Sequence, residues 1–338
     1  MLMRKNFFRF FYFCGIIVLK YVIVLMFKEV RSVMERRVLA IIMMVVCAAG
    51  WAGGEYSRRD AGTYAGQFLK MGAGARPSGM GEAFVAVSND STAIYWNPAG
   101  ASQLDKVSMT FMHSILIKEI SYEWFSCVYP TKAGNFGVGV QYMYYGQMKE
   151  TDETGLEIGA FMPYDMSVGV SYANELYGLM YGFSVKQITS QIKSLAGAYA
   201  ADAGLMYKLF GDRVSLGASV QNMGTTLKYV DIEEKLPVNI KYGAACELLD
   251  DLSLSFEADM PQDNEGHYGA GIEYIRFMNF NLTGALRAGY ATRTKDVPGL
   301  SGFTAGVGIN YLEYTLDYAF LPFGDLGDTH RISFGYRF

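Results

Sequence analysis

Proline is scarce in this chain, 8 in 338 residues, and charge is low: Asp, Glu, Lys and Arg together make up 18%. Scarce proline leaves room for long strands, because each proline removes a ladder hydrogen bond. A charged fraction below the roughly 25% of soluble domains is too small to cover a fully solvated exterior. The net charge of −4 is small and indicates neither a nucleic-acid footprint nor a polybasic membrane tether. The histidines His113, His267 and His330 stand far apart and share no ligand spacing, so no metal site is expected. Two of the four cysteines, Cys14 and Cys47, fall in an N-terminal leader. The strand phases below put the other two, Cys127 and Cys246, on opposite faces of a sheet, as packing residues and not as a disulfide. No Ser/His/Asp set is recognisable. Gly72, Gly74, Gly79 and Gly81 lack the strand–loop–helix setting of a nucleotide loop. Neither an enzyme activity nor a cofactor is expected.

What the chain has in abundance is aromatic residues, 15% of the total, with 25 Tyr, 22 Phe and 38 Gly. From Val107 onward the pattern has a period of two. Phe136, Val138, Val140, Tyr142 and Tyr144 alternate with Gly137, Gly139, Gln141, Met143 and Tyr145. Phe303, Ala305, Val307, Ile309 and Tyr311 alternate with Thr304, Gly306, Gly308 and Asn310. One face is apolar with aromatics near its ends, and the other is glycine, serine and scattered charge; this is strand periodicity. Strands are expected at about 107–115, 119–129, 134–147, 164–175, 177–190, 197–210, 212–223, 237–248, 251–260, 266–276, 278–291, 301–312, 313–323 and 328–338. Short turns alternate with longer links, the pattern of a bacterial outer-membrane barrel with both barrel termini periplasmic. The fold class is therefore all-β, a transmembrane barrel of about fourteen antiparallel strands over residues 106–338. Phe334, Tyr336 and Phe338 end the last strand on one apolar face, resembling the signal read by the barrel assembly machinery. Outer-membrane lipid is the expected surrounding.

Residues 34–52 carry Arg36 and Arg37, then an apolar run from Val38, then Gly50 and Ala52 before Gly53; this pattern is a secretory signal peptide. Val46 before Cys47 argues against a lipoprotein site. Residues 1–33 read as an upstream extension, translation starting at Met34; the alternative is a poor transmembrane helix over 10–27, split by Lys20.

Between leader and barrel lies a segment, 53–105, that refuses to alternate. It is too apolar and too rich in small residues to be a solvated linker. Its run Phe68-Leu69-Lys70-Met71-Gly72-Ala73-Gly74-Ala75-Arg76-Pro77, then Gly79-Met80-Gly81-Glu82-Ala83-Phe84, then Asn89-Asp90-Ser91-Thr92-Ala93-Ile94-Tyr95-Trp96-Asn97-Pro98-Ala99-Gly100, resembles the start of the PorV/PorQ family of outer-membrane proteins. Leu316-Asp317-Tyr318-Ala319-Phe320, Gly324, His330-Arg331 and Ser333-Phe334-Gly335-Tyr336 extend the resemblance to the far end. It implies a fourteen-stranded FadL-like barrel with an N-terminal hatch in the lumen. FadL-type members pass hydrophobic compounds; PorV-type members act with the type IX secretion machinery, escorting or anchoring cargo. The leading expectation is transport of a hydrophobic small molecule through a hatch-gated lumen. A secretion-associated component and a purely structural barrel are the alternatives.

Candidate hatch residues are Gly79, Gly81, Asn97, Pro98 and Ala99: proline fixes φ and Asn caps a turn, so the Asn-Pro-Ala turn either shapes a constriction or ties the hatch to the wall. Asn89, Asp90 and Ser91 signal a turn before Ala93–Trp96. Lumen-phase charges are Glu123, Asp202, Lys208, Lys241, Glu257, Asp259, Glu273, Arg287 and Asp317. In a small lumen they line a polar conduit or pair to hold the plug. Tyr122, Trp124, Tyr142, Tyr144, Tyr274, Tyr290 and Tyr311 are expected outside, as interfacial girdles.

Overall fold

The computed structural model describes residues 61–117, 119–229, 232–279, 281–294, 300–324 and 327–338. The expected extension and signal peptide lie outside the described residues.

Fourteen strands close into one antiparallel barrel: β1 (Ser108–Ile115), β2 (Ser121–Thr131), β3 (Gly134–Tyr144), β6 (Tyr164–Leu176), β7 (Leu179–Gln191), β8 (Leu195–Leu209), β9 (Val214–Gly224), β12 (Asn239–Leu249), β13 (Leu252–Pro261), β14 (His267–Asn279), β15 (Leu282–Ala291), β16 (Phe303–Tyr311), β17 (Tyr314–Pro322) and β18 (Asp328–Arg337). Each lies within a few residues of its expected span. The strand count survives because period-two alternation with one lipid-facing side leaves little freedom in where a strand begins. The longer links expected at 148–163 and 224–236 instead contain hairpins, β4 (Met148–Thr151) with β5 (Glu157–Phe161), and β10 (Leu227–Tyr229) with β11 (Ile232–Glu234).

The ring closes where β1 meets β18, in register from Ser108 opposite Arg337 to Ile115 opposite His330. Val107 and Phe338 extend that seam with two reciprocal backbone hydrogen bonds of 3.0 Å. Phe334, Tyr336 and Phe338 are on the outer face, and Tyr336 stacks on Tyr314 and on Phe338 at 4.9 Å each. At the same end of the barrel, three short turns place a bulky residue in the left-handed region: Tyr177 (φ 54°), Phe210 (φ 55°) and Leu312 (φ 54°). Bulky residues rarely adopt that conformation. Here it turns the side chains outward at the turn end, the level at which membrane barrels carry interfacial rings.

The outer face of β3 and β6 bears Phe136, Val138, Val168 and Val170, all exposed. The inner face is buried although no strand among the described residues crosses the lumen, because residues 66–104 fill it. That segment contains two short helices, α1 (Ala75–Gly79) and α2 (Ala93–Trp96), flanked by 3₁₀ turns at Gln67–Lys70 and Pro98–Gln103. It begins at the end bearing the longer links, where the Ala65 N–H donates to Lys235 O, and finishes at the turn end, where Asn135 Nδ2 donates to Ala101 O and Leu104 O. No helix among the described residues is long and apolar enough to cross a membrane.

One strand phase differs from expectation. In β2 the inward positions are Tyr122, Trp124, Ser126 and Val128, so Glu123 is not a lumen residue. Glu123 faces outward and pairs across the β1–β2 ladder with His113, Oε1 to Nδ1 2.6 Å. Alternation defines two faces without naming the inner one, and the rings of Tyr122 and Trp124 suggested a membrane girdle; the plug's own rings draw them inward instead. The same inversion puts Cys127 on the outer face with Cys246, and both are free thiols on well-separated strands.

Candidate functional site

The lumen site is the joint surface of the plug and the wall. Its first requirement is close approach, which explains the glycines of the inner face. A side chain at Gly182 would overlap Pro98, one at Gly204 would overlap Asn97, and one at Gly217 would overlap Val85. Gly81 (φ 63°) lies against Gly289, backbone on backbone, and neither position has space for a Cβ. Gly79 sits over Gly306 in the same way. The plug reaches every strand of the ring through such sockets, through buried side chains and through hydrogen bonds.

The Asn-Pro-Ala turn is a junction. Asn97 Nδ2 donates to Val85 O (2.9 Å) within the plug and to Leu205 O (3.1 Å) on β8, while Asn97 Oδ1 accepts from the Ala99 N–H (3.2 Å). Pro98 and Ala99 start the last 3₁₀ turn, and Ala99 packs with Met180 and Met206. This is the arrangement that ties the plug to the wall. Upstream, Asp90 accepts from the Thr92 N–H (2.9 Å), the turn expected before α2, and Ser91 Oγ bonds Thr110 Oγ1 on β1 (2.7 Å).

One side of the lumen is apolar. Phe68, Leu69, Tyr95 and Trp96 of the plug form a single buried cluster with Met112, Tyr122, Trp124, Met143 and Ile188 of the wall and with Ala196, Ala198 and Ala200 of β8. Rings meet edge to face, Tyr95 on Trp96 at 5.0 Å and Tyr95 on Trp124 at 5.7 Å. Polar tips of these side chains are satisfied by plug backbone: Trp96 Nε1 donates to Ala73 O (2.8 Å) and the Tyr122 hydroxyl to Met71 O (2.9 Å). Burial, reinforced by nearby Glu82, pushes the Tyr95 hydroxyl well above its ordinary range, so it stays a neutral donor to Leu69 O.

The opposite side is ionic, and here the structure brings together the expected charges of β12 to β17. Lys241 bonds Glu257 (2.7 Å) and approaches Asp259 (3.2 Å). Glu257 also accepts from the plug N–H groups of Phe84 and Val85, each at 2.8 Å. Arg287 joins Glu273 to Asp317, 2.7 Å to each. Asp202 is placed apart, in the wall at a β8–β9 bulge, bonded to Lys186 (2.9 Å).

The plug's own ion pairs were missed from the sequence. Arg76 reaches Glu273 with two hydrogen bonds of 2.9 and 2.8 Å. Glu82 meets Arg293 at 2.9 Å, and Arg331 lies 3.5 Å away. Burial works against the Arg76 guanidinium's charge, but Glu273 and Asp90 outweigh it and hold the group more basic than usual. Burial also opposes ionised Glu82, and Arg293 and Arg331 overcome it, leaving its carboxyl below the ordinary range. Arg331, buried in β18, donates to Gly72 O (2.8 Å) and Ser78 Oγ (2.7 Å). The usable signal was that β18 alternates apolar outside with Thr329, Arg331 and Ser333 inside, which marks Arg331 as a lumen residue. A cavity of about 20 Å³ remains beside Glu82, Lys241, His267 and Arg293. That is about the volume needed for one water.

A plug seated in a fourteen-stranded barrel is what comparison with known proteins bears on. The family model described as type IX secretion system protein PorV matches residues 55–255, from the approach to the plug through to β13. The chain belongs to the PorV family. Among solved structures, the toluene transporter TodX of Pseudomonas putida matches this PorV-family chain with a TM-score of 0.57 at 13% identity, covering 79% of this chain and 98% of TodX. A deletion mutant of TodX, described as a monoaromatic hydrocarbon channel, gives 0.52 at 14% identity over 79% and 99%. At such identity the likeness concerns the fold alone: this PorV-family protein is an outer-membrane β-barrel that resembles TodX in fold. Among curated protein sequences none matches the chain.

Proposed function

We propose that this PorV-family barrel admits hydrophobic small molecules across the outer membrane through a lumen gated by its plug. The observation that supports this reading is the division of the lumen into an apolar and an ionic side. Phe68 and Leu69 lead the plug at the loop end and occupy an apolar bay that includes Met143, Ile188 and the alanines of β8. An uncharged apolar solute suits the same bay, since burying it there costs no unpaired polar group. Methionines such as Met112 and Met143 adapt their shape to different occupants. The wall fastens the leading turn by Lys70 and Gln67 on Asp263 (each 2.7 Å), by the Ala65 N–H on Lys235 O (3.1 Å), and by neutral donors to its backbone, Gln141 Nε2 to Phe68 O (2.8 Å) and the Tyr122 hydroxyl to Met71 O (2.9 Å). The plug beyond it also carries the buried ion pairs of Arg76 and Glu82. Gating by withdrawal of residues 65–71, with Arg76 and Glu82 as the fixed anchor, follows from that difference. The longer links would then face outward and both barrel termini the periplasm, with Phe334, Tyr336 and Phe338 offered to the assembly machinery. No catalytic role is assigned.

The test is uptake of toluene into vesicles containing the full barrel. Replacing Lys70 and Gln67 by Ala is expected to speed it, and deleting 72–104 to change permeability while leaving a heat-modifiable barrel. Uptake equal to that of protein-free vesicles for all three proteins sinks the reading.

A second reading, association with type IX secretion, is favoured by the family model itself, whose match spans the plug as well as the wall. Cross-linking in the native membrane followed by affinity isolation is expected to bring down secretion components or cargo. A barrel recovered alone counts against it.

A further inference from the structure

Outside the lumen, the loop end carries a second concave surface. Its floor is Tyr142 and Tyr144 of β3 and Tyr164 of β6, on outward positions of paired strands, with the rings of Tyr142 and Tyr164 5.7 Å apart. Phe161 and Met162, at the end of the β4–β5 hairpin, overhang it, and Ile192 of the β7–β8 link closes one side. The space is about 640 Å³, within the range of sites that hold small molecules. At its mouth Lys193 pairs with Glu150 at 2.6 Å and lies 5.8 Å from the Phe161 ring.

Two features say what fills it. The floor is continuous with the membrane-facing belt, since Val138 of β3 and Val168 of β6 lie on the same face farther down the same two strands. Yet Met162 is 60% and Ile192 52% exposed, beyond the ends of the strands, where water would otherwise meet them. Contiguous exposed apolar surface of this kind marks a site with an apolar occupant. Here the neighbour already in place is lipid. A charge pair at the mouth adds a donor, Lys193, at the level where head groups carry phosphate.

We propose that this cleft holds an acyl chain of a lipid from the surrounding leaflet, which rises past the tyrosines and supports the β4–β5 hairpin. The site is separate from the lumen and does not depend on whether the plug opens. Its recognition is by the chain, with Lys193 meeting the head-group phosphate.

The experiment places a tryptophan reporter in the full-length protein, in phosphatidylcholine vesicles with and without brominated acyl chains. Bromine quenches only tryptophans that lie against the chains. Trp96 and Trp124 are buried in the lumen, and together with Trp51 they give a background measured on the parent protein. Ile192→Trp is expected to lose the same fraction of its intensity as the belt reporter Val168→Trp, and Leu156→Trp, at the hairpin tip, to lose none. Adding Met162→Glu should abolish the loss at Ile192→Trp and leave that at Val168→Trp intact, which also shows that the barrel has folded. Quenching of Ile192→Trp no greater than that of Leu156→Trp overturns the proposal. Accessibility of that reporter to aqueous iodide overturns it in favour of an open cleft, and shielding from both quenchers in favour of a protein occupant.

Discussion

The early strands of the barrel and the late ones hold the same plug by opposite means. On β1–β3, β7 and β8 the contact is Met, Trp, Tyr, Ile and Ala against Phe68, Leu69, Tyr95 and Trp96. On β12–β18 it is Glu257, Glu273 and Arg331 against Arg76, Glu82 and plug backbone, with Lys241, Asp259, Arg287 and Asp317 paired to them or to one another in the wall. Apolar contact is undirected, so it tolerates a change of occupant. A buried ionic network does not, because each group left behind bears an uncompensated desolvation cost. The plug therefore has an ionic side and an apolar side that differ in what a change of contact would cost.

The sharpest test of that contrast is Lys241→Met. It leaves Glu257 and Asp259 buried without their ammonium, and the protein should lose about 3–5 kcal/mol of stability, read by urea unfolding in vesicles. Ile188→Ala on the apolar side, at a fully buried position, should cost about 2–4 kcal/mol by leaving a cavity. The two variants separate on adding benzene, which fills a dry apolar cavity. Part of the Ile188→Ala loss should return and none of the Lys241→Met loss; rescue of both would erase the contrast.

Acid probes the anchor more gently. Glu82 has a folded-state pKa below its unfolded one, so its contribution is complete above the ordinary glutamate range and fades as the pH falls beneath it. Conductance of the barrel in planar bilayers should stay low at neutral pH and rise toward strong acid, and Glu82→Gln should be high throughout. A flat profile in the parent would show that Glu82 does not hold the plug. The smallest effect belongs to Lys149 and Glu157, an ion pair whose side chains are 71% and 59% exposed. Lys149→Ala should shift stability by less than about 1 kcal/mol, and a larger change would mean that the β4–β5 hairpin bears on the barrel.

Much of this was legible in the residues. The strand count and order follow from alternation, and the small-residue segment before the barrel was read as one enclosed by it. The lumen charges from Lys241 to Asp317 were found by phase alone. Glu123 was misplaced because alternation in β2 names two faces but does not choose between them: the ring pair Tyr122 and Trp124 suits a membrane interface as well as a lumen lined by the plug. Arg76 and Glu82 went unread because they lie in a segment without periodicity, where spacing carries no phase. The hairpin β4–β5 was missed because short strands in a link leave little pattern.

The sequence by itself determined a closed barrel and a small-residue segment that must lie against something, since both are consequences of local side-chain period and of glycine's freedom from a Cβ. Only the tertiary structure decided which partners that segment takes. Contacts such as Arg76 with Glu273, or Gly81 with Gly289, join positions some two hundred residues apart. Their pairing is set by how the plug lies across the ring, a relation that no local pattern encodes.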